Sequence, residues 1–169
     1  MRPDFDAPEL QTRLAGADHV DEKIVEGAVT LREFVSGAMA SEPGWVKFLF
    51  RVRGWLARVM GLEHPESMTA SIRPEDIPFV RGGKVGFFTV AYAEEDRCIV
   101  LEATDTHLTG YLAVIAEPAA DGRRRFRAVT IVKYHRWTGP LYFNLIRPFH
   151  HLVVHSMIHA AVRRAAPAI

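Results

Sequence analysis

Four β-type runs between Val85 and His135 are joined by turns too short for anything but direct reversal. They are Val85–Ala93, Arg97–Thr104, His107–Glu117 and Phe126–His135, rich in β-branched and aromatic residues. Glu94–Asp96, a tight turn around Asp105 and the loop from Pro118 to Arg124 connect them. Parallel neighbours need a crossover of about a dozen residues or more, so these strands must pair antiparallel, as a meander. Successive side chains alternate between faces, so only part of the aromatic set can point inward.

The flanking segments read as helices and one further strand. Residues 1–17 form a polar lead-in punctuated by Pro3, Pro8 and Gly16, and His19–Val25 is a candidate first strand. Thr30 and Glu33 have capping-box spacing, which starts a short helix running to about Ala40, before Pro43–Gly44. Trp45, Phe48, Leu49, Val52, Leu56, Val59 and Met60 recur at helical intervals, so a second helix is expected to pack this face into the core. Gly61 stops it, and Gly82–Gly83 turns the chain into the meander. After Gly139–Pro140 comes a helical stretch Leu141–Arg147, which Pro148 must kink or restart, and then Phe149–Arg164. This order predicts an α+β fold in residues 18–169: a curved antiparallel sheet wrapped around a long C-terminal helix, a helix-grip architecture. A cavity between sheet and helix is the natural ligand site in such a shape.

Composition narrows the function classes. At 169 residues the chain fills one domain, and 21 basic against 20 acidic residues leave a formal charge of +1. That balance argues against nucleic-acid binding, which needs a basic excess. The single cysteine, Cys98, excludes an internal disulfide and multi-cysteine metal sites, and reads as a small buried hydrophobe. No signal-peptide core or membrane-spanning run is evident, so a cytoplasmic location is expected.

Four local signatures stand in order: PGWVKFLFRVRGWLARVMGLE, KVGFFTV, ATDTHLTGYLAV and TGPLYFNLIRPFHHLVVHSMI. Together, over residues 18–165, they resemble the bacterial domain of unknown function 2867, a START/Bet v 1-like relative. The resemblance implies a stand-alone domain of a family also found fused behind short-chain-dehydrogenase-like domains. No GxGxxG is present here to supply a dinucleotide-binding half. The family carries no established catalytic residues. Only positions transfer: Asp105, His107, Pro148, Phe149 and His150 match its motifs.

Candidate chemistry centres on two places. Asp105 beside His107 could orient an imidazole for proton transfer, or Asp105 could simply cap a turn through backbone amides. His151, His155 and His159 share a helical stripe at chelating spacing, but Leu152 stands where an HExxH motif has glutamate, and no acidic residue follows Phe126. No metal and no cofactor is therefore expected. Tyr111, Tyr134 and Tyr142 offer apolar bodies with polar tips, the chemistry of a pocket wall as well as of plain core.

The leading expectation is a binding module for a small, mostly apolar molecule, lined by His107, Tyr111, Tyr134, Tyr142 and His150. A cofactor-independent enzyme using Asp105 and His107, or an accessory partner of an oxidoreductase, are the alternatives. The basic amphipathic segment Trp45–Met60 could also lie on an anionic membrane, but near-zero net charge argues against membrane contact. Strands apolar on both faces, such as Val85–Val90, allow a homodimer as well as cover by helices.

Overall fold

The computed structural model describes residues 8–40, 44–59 and 72–163. The elements are α1 (Pro8–Leu14), β1 (His19–Gly27), α2 (Leu31–Met39), α3 (Gly44–Val59), β2 (Lys84–Val85), β3 (Phe88–Glu94), β4 (Cys98–Thr104), β5 (Leu108–Pro118), β6 (Arg124–Tyr134) and α4 (Thr138–Arg163). All six strands pair antiparallel in the order β1-β6-β5-β4-β3-β2. The meander is as the short turns require, and β1 extends it by pairing with the last strand. α2 and α3 lie in the stretch that joins the two opposite edges, roughly 24 Å apart at about 4.8 Å per strand.

Register separates two apolar layers. Ile99, Leu101, Val114, Phe126 and Ala128 point inward with Val154, Met157, Ile158 and Ala161 of α4 and with α2. Val100, Ala113, Val129 and Ile131 point to the outer face, where Leu10 and Leu14 cover them. The lead-in thus contains a helix, α1, whose two leucines cap apolar strand positions. The sheet curves around α4, the helix-grip arrangement expected.

α2 begins with a complete capping box: the Thr30 amide donates to the Glu33 carboxylate at 2.7 Å, and the Glu33 amide donates to Thr30 Oγ1 at 3.2 Å. Its Phe34 ring stacks on Phe126 with centroids 4.3 Å apart. Gly37 lets α2 meet α4 closely, since a Cβ there would stand 3.0 Å from the Ala161 backbone.

Several expectations need correction. Val85–Ala93 is two strands, parted at Gly86, whose φ of 60° suits glycine. β6 starts at Arg124, two residues before the expected Phe126, and Arg124 and Arg125 form ion pairs with Asp96 and Glu26. α4 runs unbroken through Pro148: Asn144 and Pro148 are both exposed, so water can reach the carbonyl that proline cannot serve. α3 forms as predicted, yet Phe48, Val52 and Val59 of the expected core face are exposed rather than packed, and so is Trp55. Met60 and Gly61 lie outside the described residues.

Candidate functional site

Beneath the first half of α4 the inner face of the sheet turns polar. Alternation along β1 sends His19, Asp21 and Lys23 inward, opposite Val132, Thr130 and Ala128 of β6. From above, α4 lowers Phe143, His150 and His151 onto them. Asp21 Oδ2 lies 3.1 Å from His151 Nδ1 and 3.0 Å from Lys23 Nζ. Lys23 Nζ is 3.5 Å from the same ring nitrogen; a carboxylate oxygen can only accept, so the shorter contact has Nδ1–H donating to Asp21. His150 Nε2 stands 3.4 Å from Thr130 Oγ1.

His19 is the unusual member. Its ring packs 4.9 Å from Phe143 and 6.0 Å from His151, and its buried Nε2 finds no hydrogen-bond partner among the described residues. Burial, then the charges of Arg147 and His151, hold its pKa below the ordinary 6.5, against an opposing pull from Asp21. For Asp21, burial would raise the pKa, but the hydrogen bond and charge of Lys23 together with His151 outweigh it and lower the result. Asp21 is thus paired with Lys23 and His151, while farther along the cluster Arg147 and Asp18 both act on Tyr134.

The polar cluster adjoins an apolar hollow. A cavity of about 20 Å³ lies between α2, α4 and the sheet, lined by apolar side chains that include Phe34, Met39, Leu112, Ala128, Val154 and Met157. A water needs about 10–15 Å³ and two or more polar partners, so this hollow has the size for one but not the chemistry. Lys23 pairs across the strands with Ala128, and Thr130 pairs with Leu112, so both cavity-lining residues have a polar neighbour on the same face.

The residues singled out from sequence scatter. Asp105 Oδ1 accepts the backbone amides of His107 at 2.7 Å and Leu108 at 2.9 Å, so it caps its turn. The His107 ring meets Thr138 Oγ1 at 2.6 Å instead of that carboxylate, and its carbonyl accepts the amides of His135 and Arg136. These bonds tie the start of α4 to the β4–β5 turn. Tyr111 points to the outer face, beneath the Arg13 guanidinium at 5.6 Å, away from α4. Tyr134 and His150 do converge, each with its ring 6.2 Å from Phe143, and Tyr142 is buried beside Phe143 in the sequence. The His155 and His159 rings meet at a tilt with centroids 4.1 Å apart, His159 Nδ1 donating to the His155 carbonyl, while His151 turns to Asp21. No three potential metal ligands converge among the described residues. Sequence reasoning missed His19, Asp21 and Lys23. Their i, i+2, i+4 spacing on β1 was the available signal, but only the β1–β6 register shows that this face looks toward α4.

The family described as "Protein of unknown function (DUF2867)" matches residues 13–157. The chain belongs to that family. No curated protein matches this DUF2867 chain by sequence. Solved structures similar to it include a truncated norcoclaurine synthase from Thalictrum flavum, at 10% identity and TM-score 0.46 over 89% of this chain and 95% of that one. A START superfamily protein from Mycobacterium smegmatis is 11% identical, with TM-score 0.44 over 86% and 98%. A hypothetical protein from Helicobacter pylori is 14% identical, with TM-score 0.46 over 98% of both chains.

Proposed function

We propose that this DUF2867 protein binds a small amphiphilic molecule between its sheet and α4, apolar body in the hollow and polar head at the β1–α4 cluster. The observation that carries the reading is continuity: cavity-lining Ala128 and Leu112 are cross-strand partners of Lys23 and Thr130. A buried His19 Nε2 without a partner is an open hydrogen-bonding position, and such a group costs about 1–3 kcal/mol until it is satisfied. Lys23 Nζ and the open His19 Nε2 are the polar atoms offered at that end, which suits a carboxylate or a similar hydrogen-bonding head.

The hollow holds only a water-sized body at rest, so the guest must displace side chains. Met39 and Met157 suit that role, because unbranched thioether chains repack without backbone movement. The ligand is therefore small, well below the several hundred Å³ of drug-sized sites.

Native mass spectrometry of freshly purified protein tests the reading, together with thermal unfolding in octanoate as a probe. The expected result is a retained molecule or an octanoate-dependent rise in midpoint, weakened in Lys23→Gln. No retained mass and no response to octanoate in either protein would overturn it.

A further inference from the structure

Independently of any ligand in the interior, α3 presents an apolar surface that stays exposed among the described residues. Phe48, Trp55 and Val59 are 64%, 64% and 65% exposed, and Val52 is 42% exposed. Their spacing of four, three and four residues places all of them on one narrow stripe of the helix. The exposed cations Arg51 and Arg58 each precede a stripe residue by one position, a rotation of about 100° in the same sense both times. They form one basic flank. Residues 44–59 contain no acidic residue at all.

We propose that α3 lies flat on an anionic membrane surface, its Phe48–Val52–Trp55–Val59 stripe in the acyl boundary and Arg51 and Arg58 at lipid phosphates. A stripe of aromatic and aliphatic side chains beside a basic flank is the pattern that partitions into this region. At 16 residues α3 spans roughly 24 Å, and no helix among the described residues is long and apolar enough to cross a bilayer. Charge complementarity selects the occupant. A second copy docked stripe to stripe would bring two basic flanks together with no anion from either α3, whereas lipid phosphates supply the opposite charge. The near-zero net charge of the whole chain does not oppose this, because a surface potential acts within about a Debye length and reads the local helix.

Co-sedimentation of the full chain with phosphatidylcholine vesicles, with and without one-quarter phosphatidylglycerol, tests the proposal. Binding is expected only to the anionic vesicles, falling as salt is raised, with a blue shift of tryptophan emission that Trp55→Ser diminishes. Arg51→Gln with Arg58→Gln should lower the partition coefficient roughly thirtyfold, at about fivefold per basic residue. Both sites are exposed, so an unchanged circular dichroism spectrum and melting midpoint will show that the variant folds. Equal binding to neutral and anionic vesicles, no binding to either, or full binding by the double variant would overturn the proposal. So would a salt-insensitive dimer in sedimentation that Phe48→Ser abolishes, which would assign the stripe to a second copy.

Discussion

Phe34→Ala is the most informative perturbation of the interior, because Phe34 both supports the core and walls the hollow. The ring is 1% exposed, stacks nearly parallel on Phe126 at 4.3 Å and lines the cavity of about 20 Å³. Truncating a core phenylalanine costs about 3–5 kcal/mol, and the lost aromatic pairing places this site in the upper part of that range, about 4–5 kcal/mol. With a urea slope of about 2 kcal/mol/M, the unfolding midpoint should fall by about 2 M. The void left behind joins the existing hollow and is dry, so benzene should enter it. At a hundredfold excess over its Kd, benzene should return about 2.7 kcal/mol, a little over 1 M of the lost midpoint. Equilibrium urea unfolding followed by circular dichroism, with and without benzene, measures both. A midpoint loss under about 0.5 M would refute the placement of Phe34. A full loss without benzene rescue would refute the idea that this interior accepts an apolar guest.

Other outcomes follow from the polar groups. His19 has a folded-state pKa below its ordinary 6.5, so the unfolded chain binds the proton more readily. Stability should therefore fall as pH drops below 6.5, down to the lowered pKa, and His19→Asn should flatten that part of a pH-dependent melting series. Asp21 adds a loss at lower pH, as its own depressed pKa is approached, and Asp21→Asn should cost about 1–2 kcal/mol at neutral pH by leaving Lys23 and His151 without their anion. Asp105→Asn should leave the melting midpoint nearly unchanged, since an amide oxygen can still accept both turn amides. Asp105→Ala should cost about 1–2 kcal/mol in the same assay. Burial raises the pKa of the Cys98 thiol, so a thiol reagent should label it only as fast as the protein opens, and denaturant should release the reaction.

The sheet was legible because its connections were short, and α2 because Thr30 and Glu33 wrote its start. The long last helix was legible as well, although Pro148 falsely suggested an interruption: whether proline breaks a helix depends on whether its unserved carbonyl faces solvent. α3 taught the converse. Phe48 and Val52 have the spacing of a core face, but spacing does not say that a core lies opposite. The site was harder still, because it is a property of register. Asp105 and His107 are two residues apart in sequence and point at different partners, whereas Asp21 and His151 meet only through β1–β6 pairing and the seating of α4. Tyr111 shows the same limit, since one step along β5 moves a side chain from one face of the sheet to the other.

β1 binds to β6, so the two edges of the chain's history meet side by side. During synthesis the first strand must wait, unpaired, until nearly everything after it has been made, and α4 arrives later still. Contacts this distant close slowly and reward the chain only at the end. His19, Asp21, Lys23, His150 and His151 can therefore come together only once both β6 and α4 have been made. A nascent chain or a fragment lacking either terminus can own much of the sheet and none of this cluster.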